Sequence, residues 1–397
     1  MERNLMGPRY KCPISDDELD RRLSAVQRAM AARGLDCCIA QTQSTIFDSV
    51  VRYLTDSVTH AYGTTLLIPA QGKLVMIRHG LDLDPAPVPP TLRNVETLIC
   101  KPYCQPFGCT DKMLGTVLVR ELKARGYRRI GLIFKQLMNA DTLLSLQEAL
   151  PGSTFEDFSA DFSRIKAVKS PEEWELIHQT MRIHERLMDQ VPALLRPGRM
   201  EYEVLADIER AARYLCCDWF GNVAIGSAPR GGGTPFQQNP VANRRIEAGD
   251  GITVMIEVSG PGGLYGELAR TFCLGEPDPE LIELFELAKT AQHCVAKAAK
   301  PGVSGQALND IFNACVTPHG ISPNGRFVGH SQGYDMMEAP VICPQEDLLL
   351  EENMLLAIHP ELMRNGQFSI CCDNFQVTKS GAERLTRTAQ NLFILDP

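Results

Sequence analysis

The second half of the sequence carries carboxylates, imidazoles and a thiol in settings that withhold ordinary solvation. Glu257 interrupts the apolar run Val254-Met255-Ile256-Glu257-Val258. A carboxylate folded into such a run is costly unless an opposite charge, a donor or a metal ion compensates it. Glu267 follows three residues before Arg270, with which it could pair across a bend. His330 stands among glycines and polar residues. His359 precedes a proline at the end of an apolar stretch, where its plainest role is that of a hydrogen-bonded core residue. Cys372 reads as a small buried filler, because nothing around it in sequence would lower a thiol pKa. Two further clusters exclude chemistry. Cys100, Cys104 and Cys109 match no common zinc or iron–sulfur spacing. Gly231-Gly232-Gly233 has no strand-to-helix context after it, so it is no phosphate cradle and reads as a mobile loop near Gln238.

The whole chain sets the limits within which these residues act. Its 397 residues suffice for two domains with separate cores. A net charge of −8 with dispersed Lys and Arg argues against nucleic acid or an acidic membrane surface as partner. No apolar run reaches the roughly 20 residues that span a bilayer. The opening Met1-Glu2-Arg3-Asn4 lacks a signal-peptide stretch, and fourteen cysteines with no disulfide-scaffold spacing point to free thiols in the cytoplasm.

Elements that could position the reactive groups are legible from periodicity and caps. A helix is predicted over 16–33, with Ser15 and Glu18 as a capping box and Leu19, Leu23, Val26 and Met30 as its stripe. Apolar runs at 37–40, 64–68, 74–77 and 130–134 read as strands and alternate with helical patterns at 113–125 and 139–149. The proline-rich segment 83–111 reads as a surface loop. Ser170-Pro171-Glu172-Glu173 is a strong helix start, and that helix is expected to run to Pro197-Gly198. Further helices are predicted from Glu201 to about Leu215, from Asp278-Pro279 to Pro301-Gly302, and after Ser304. Strand-like runs fall at 252–258, 268–273, 354–359 and 368–377. The fold class expected is an α/β domain over 1–165, then an α+β domain over 166–397 with helices covering a curved, mostly antiparallel sheet.

An ordered series of landmarks then connects the second half to known proteins. Lys169-Ser170-Pro171-Glu172-Glu173, Arg196-Pro197-Gly198, Glu247-Ala248-Gly249-Asp250, Arg270-Thr271-Phe272, Gly329-His330, Glu338-Ala339-Pro340 and Val377-Thr378 occur in family order. The set resembles the pita-bread enzymes: creatinase, prolidase and aminopeptidase P. Arg52-Tyr53-Leu54-Thr55 resembles the domain that precedes the catalytic one in those proteins.

The resemblance implies a site and shows where this sequence departs from it. The family's peptidases hold two metals with two aspartates, a histidine and two glutamates. Those positions fall on Glu257, Glu267, His330, His359 and Cys372. The creatinase base matches Gln238, and a second family histidine matches Met337. With both bridging glutamates replaced, a dinuclear site is not expected. Glu257, Glu267, His330 and His359 make a mixed set suited to one Fe, Mn, Ni or Zn ion. Without a metal, His330 and His359 could serve as base and acid, tuned by Glu257, Glu267 or Glu338. Gln238, Met337 and Arg52 are expected at the substrate. The function expected is hydrolysis of a C–N bond in a small polar metabolite. The alternatives are a lyase resembling dimethylsulfoniopropionate lyases, whose carboxylate spacing is similar, an Xaa-Pro peptidase, and a non-catalytic small-molecule-binding protein. The resemblance also implies a homodimer.

Overall fold

The computed structural model describes residues 14–42, 49–58, 63–102, 109–234, 243–323 and 327–397. They divide into two compact units, Pro13–Lys166 and Ala167–Pro397. In the first unit, helices α1 (Asp16–Ala32), α2 (Ser49–Thr55), α3 (Cys109–Arg125), α4 (Ala140–Ala149) and α5 (Ser159–Ala167) accompany seven strands. These are β1 (Cys37–Thr42), β2 (Thr64–Pro69), β3 (Leu74–His79), β4 (Leu83–Ala86), β5 (Val95–Lys101), β6 (Arg129–Ile133) and β7 (Thr154–Asp157). They form one mixed sheet in the order β4-β5-β3-β2-β1-β6-β7. The β1 strand is buried along its whole length, which is why its sequence runs apolar rather than alternating. Ser15 caps α1 by accepting from the Glu18 backbone N–H at 3.1 Å, while the Glu18 carboxylate pairs with Arg21 and Arg22. The segment 83–111 is not the loop its prolines suggest. Val95–Lys101 lies parallel to β3, inside the sheet, because its own β-branched and apolar residues outweigh the turn signals before it.

The second unit holds α6 (Pro171–Met188), α7 (Val191–Leu194), α8 (Glu201–Tyr214), α9 (Pro279–Ala298) and α10 (Gly305–Val316). Its strands are β8 (Trp219–Ala228), β9 (Gly251–Ser259), β10 (Tyr265–Leu274), β11 (Gly329–Ser331), β12 (Glu338–Val341) and β13 (Leu355–Ile358). They are followed by β14 (Glu361–Arg364), β15 (Gln367–Ile370), β16 (Asp373–Thr378), β17 (Gly381–Arg384) and β18 (Phe393–Leu395). One sheet has the order β18-β10-β9-β8, a second β12-β11-β13-β16-β17, and β14-β15 is a separate ribbon. An isolated bridge between Ala269 and Cys372 joins the two larger sheets. The capping box at Ser170 and Glu173 forms in full. The helix it starts ends at Met188, earlier than expected. Pro192 sits in the short α7 that follows, where its missing N–H does no harm.

Each sheet has a helix-covered face and a face turned the other way, and period-2 alternation decides which residues go where. On β9, Ile252, Val254, Ile256 and Val258 join the core shared with α6 and α8, while Met255 belongs to a separate small cluster with Ala269 and Cys372. On β13 and β16, Leu356, Ile358, Phe375 and Val377 join the core of α9 and α10. Glu257, Glu267, His359, Cys372 and Asn374 all occupy the opposite parity. The structure therefore collects the reactive groups on the faces opposite those that α6, α8, α9 and α10 cover.

Helix α6 seats the β9–β10 hairpin closely. A methyl at Gly260 would lie 2.1 Å from Thr180 Oγ1, and one at Gly266 would lie 2.4 Å from Met181 Cε. Gly231-Gly232-Gly233 also has a packing role, since a methyl at Gly233 would stand 2.6 Å from the Gly366 carbonyl in the β14–β15 turn. No helix among the described residues is long and apolar enough to cross a membrane. Gly260→Ala is expected to lower stability by about 1–3 kcal/mol through overpacking against Thr180. Urea unfolding monitored by circular dichroism measures it, and an unchanged midpoint would show that α6 yields without cost.

Candidate metal centre

Glu257 and Glu267 are directly opposite one another in the antiparallel β9–β10 pair, so both carboxylates project from the same face. Asn222 occupies the matching position on β8, beside Glu257. Its Oδ1 is buried and has no hydrogen-bond partner. The second sheet supplies the imidazoles. His330 lies on β11, opposite Ala357 of β13, and His359 follows the last residue of β13. Their ring centroids are 5.2 Å apart at 61°. Phe327 packs edge-on to both, at 5.7 and 5.4 Å.

Three side chains converge. Glu267, His330 and His359 each offer a ligand atom, and these atoms lie within 4.8 Å of one another in a buried setting. His330 Nε2 is 3.6 Å from Glu267 Oε2. The other ring nitrogen, Nδ1, faces the Ser331 carbonyl at 3.0 Å. That carbonyl can only accept, so Nδ1 carries the ring proton and Nε2 presents a lone pair. Burial pushes the His330 pKa down to about 4, which keeps the ring neutral at ordinary pH. Glu267 Oε2 is buried without a hydrogen-bond donor. A neutral imidazole nitrogen and an undonated carboxylate oxygen facing each other, with a second imidazole beside them, form a donor set that fits one divalent cation.

Neighbouring groups fix these ligands. The Cys372 thiol donates to Glu267 Oε1 at 3.2 Å, leaving Oε2 directed at His330. Burial, aided by the Glu267 charge, raises the Cys372 pKa well above the ordinary thiol value, so this sulfur acts as a donor. Glu257 Oε1 accepts from Gln332 Nε2 at 2.8 Å. Asn374 donates to Gln332 Oε1 at 2.8 Å and accepts from the Glu267 backbone N–H at 2.7 Å. Gln292, fully buried on α9, donates to the carbonyls of Ile358 and Cys371 at 2.8 and 2.9 Å. Those are the residues immediately before His359 and Cys372. Burial raises both glutamate pKa values, Glu257 well above the carboxylate range and Glu267 to about 7. Proximity of the two carboxylates adds to the rise at Glu257.

Other expected residues are placed differently. The pairing of Glu267 with Arg270 does not form, since three positions apart on an extended strand means opposite faces. Arg270 instead pairs with Asp373 at 2.8 Å, both fully buried, and donates to the Cys372 carbonyl at 2.8 Å. Glu338 forms a buried ion pair with Lys169 at 3.0 Å. Glu257 stands beside the convergent trio, held by Gln332. Met337 is half-buried next to Glu338, and Arg52 is buried in α2 of the first unit. Gln238 and Cys104 lie outside the described residues. Sequence reasoning missed Gln332, Asn374, Gln292 and Phe327. Gln332 and Asn374 each follow a site residue by two positions, the spacing that returns a side chain to the same strand face.

The match to known proteins follows the two units. Residues 22–168 match the creatinase/prolidase N-terminal domain, and residues 175–379 match metallopeptidase family M24. An Xaa-Pro dipeptidase of Pyrococcus furiosus is 25% identical over 286 residues, covering 67% of this chain and 79% of that protein. A probable dipeptidase PepE of Mycobacterium bovis is 26% identical over 236 residues, covering 58% of this chain and 62% of that one. The crystal structure of dipeptidase PepE from Mycobacterium ulcerans superposes with a TM-score of 0.78 at 22% identity, covering 97% of this chain and all of the other. That of the X-Pro aminopeptidase from Thermotoga maritima also gives 0.78, at 18% identity and 94% coverage of this chain and 99% of that one. The two family matches define a hydrolase with a creatinase-type N-terminal domain and a pita-bread catalytic domain. The chain belongs to metallopeptidase family M24.

Glu267 titrates near 7 in the folded chain against 4.5 in an exposed one. The proton it retains favours the folded state, fully below pH 4.5, and that contribution is lost as pH rises through 7. Chelator-treated protein is therefore expected to melt at a lower temperature at pH 8 than at pH 6. Glu267→Gln should shrink that difference in a calorimetric pH series. An identical pH dependence in the variant would contradict the raised pKa.

Proposed function

We propose that this protein hydrolyses the amide bond of short peptides, of the Xaa-Pro class for which its relatives are named, with one divalent transition-metal ion held by Glu267, His330 and His359. The observation that carries the reading is the convergence of those three buried ligand atoms. The relatives' names redirect the expectation of a small polar metabolite toward a peptide, whose scissile bond is also C–N. One ion rather than two is supported by the chemistry of the surrounding donors. His359 and the Cys372 thiol stand where the resemblance places bridging glutamates, so that side retains no bridging carboxylate.

The bound ion would supply Lewis acidity toward a carbonyl oxygen or water. The residues of the chain do the rest. Glu267 would hold the ion through Oε2, since Cys372 restrains Oε1. His330 would hold it through Nε2, because the Ser331 carbonyl fixes its tautomer. Glu257 is the proton carrier. Gln332 occupies its Oε1, which leaves Oε2 to exchange a proton, and burial holds its pKa above the usual carboxylate range. Oε2 hands it to the departing amine nitrogen and recovers one from the water consumed. Asn222 Oδ1, buried beside Glu257, offers an acceptor for a substrate N–H.

Glu257→Gln is expected to lower kcat on an Xaa-Pro dipeptide by about 10²–10⁴-fold, the usual worth of a positioned acid–base group. Bound metal should stay unchanged in that variant. Wild-type protein loaded in turn with Mn, Fe, Co and Zn, showing no turnover of any Xaa-Pro dipeptide, would overturn the substrate class. Full activity in Glu257→Gln would overturn the proton carrier alone.

A further inference from the structure

The distinctive cluster outside the metal centre is a pair of thiols between two helices. Cys294 lies on α9, one turn before its end, and Cys315 lies on α10, one residue before its end. Their sulfurs are 3.8 Å apart, with the Cys315 thiol directed at Cys294. Both residues are half-buried, so a small reagent reaches them while the helices stay packed. Cys37-Cys38, Cys216-Cys217 and Cys371-Cys372 are chain neighbours. Such neighbours meet the geometry of a disulfide poorly. Cys294 and Cys315 are 21 positions apart and belong to separate helices, and their sulfurs already face each other at 3.8 Å.

We infer that Cys294 and Cys315 form a reversible dithiol–disulfide site that staples α9 to α10. The co-reactant is a small disulfide of the glutathione type. One protein thiolate attacks a sulfur of that disulfide, forming a mixed disulfide and releasing one small thiolate. The second protein thiolate then attacks the protein-bound sulfur and releases the other small thiolate. The two protons lost by the protein end on the two small thiols. The protein pair is oxidised by two electrons, and the small disulfide is reduced by the same two. Burial and the neighbouring sulfur push the Cys315 pKa up to about 11, so closure should accelerate as pH rises. The position gives the staple a consequence. Gln292, two residues before Cys294, is the side chain that holds the carbonyls ahead of His359 and Cys372.

The test is native full-length protein in glutathione redox buffers, with peptide mapping by mass spectrometry after thiol blocking. A Cys294–Cys315 linked peptide is expected to grow with the oxidised fraction and vanish with dithiothreitol. The oxidised wild type should melt about 5 °C or more higher than the reduced form. Cys294→Ser and Cys315→Ser should each show no such rise. Native reduced protein should also bind phenylarsine oxide, which needs two neighbouring sulfurs, and either serine variant should lose that binding. Single glutathione adducts without the internal link, or a link that forms only in denaturant, would overturn the inference. Loss or retention of peptidase activity has no bearing on it.

Discussion

Two buried carboxylates face each other across adjacent strands, and the second unit is organised around that constraint. An ionised, unpaired pair there would be too costly to keep. Compensation comes from several sides. Gln332 donates to Glu257 and Cys372 donates to Glu267, whereas His330 approaches Glu267 with a lone pair rather than a proton. The last contact is repulsive between protein groups alone and becomes attractive around a cation, which is the physical reason to place a metal there. The raised pKa values of the pair reflect the same cost, relieved by protons instead.

The surrounding structure holds this arrangement by polar contacts buried as deeply as the site. Gln292 fixes the two chain segments that deliver His359 and Cys372. Arg270 and Asp373 lock the start of β16 through a pair that is 0% exposed on both sides. Lys169 and Glu338 do the same where β12 begins. Removing one partner of such a buried pair typically costs about 3–5 kcal/mol, because the other charge remains in place. His184 is tuned in the same manner. Its Nδ1 donates to the Thr180 carbonyl and its Nε2 accepts from the Val258 N–H, so α6 grips β9 through a ring that burial keeps neutral.

Much of this was legible in the sequence, for identifiable reasons. Glu257 in an apolar run announced a compensated charge, and the Ser170-Pro171 start fixed a helix with its full capping box. The strand at 95–101 is hidden in the sequence because the prolines before it signal a loop more strongly than its short β-branched stretch signals a strand. The plainer reading of Glu267, a pair with Arg270, fails because strand alternation puts the two side chains on opposite faces. Gln332, Asn374 and Gln292 carry no motif. The roles of Gln332 and Asn374 come from pairing β11 with β13 and β13 with β16, and that of Gln292 from packing α9 on those strands, long-range arrangements that local periodicity does not contain. Gln238, expected at the substrate, lies outside the described residues.

Metal content measures directly whether three side chains hold one cation. Protein purified under reducing conditions and saturated with Zn or Mn, then desalted, should retain about one equivalent per chain by inductively coupled plasma mass spectrometry. Glu267→Ala and His359→Ala should each retain little. Two tightly held equivalents in the wild type, or wild-type occupancy in both variants, would contradict the assignment of this trio as the metal centre.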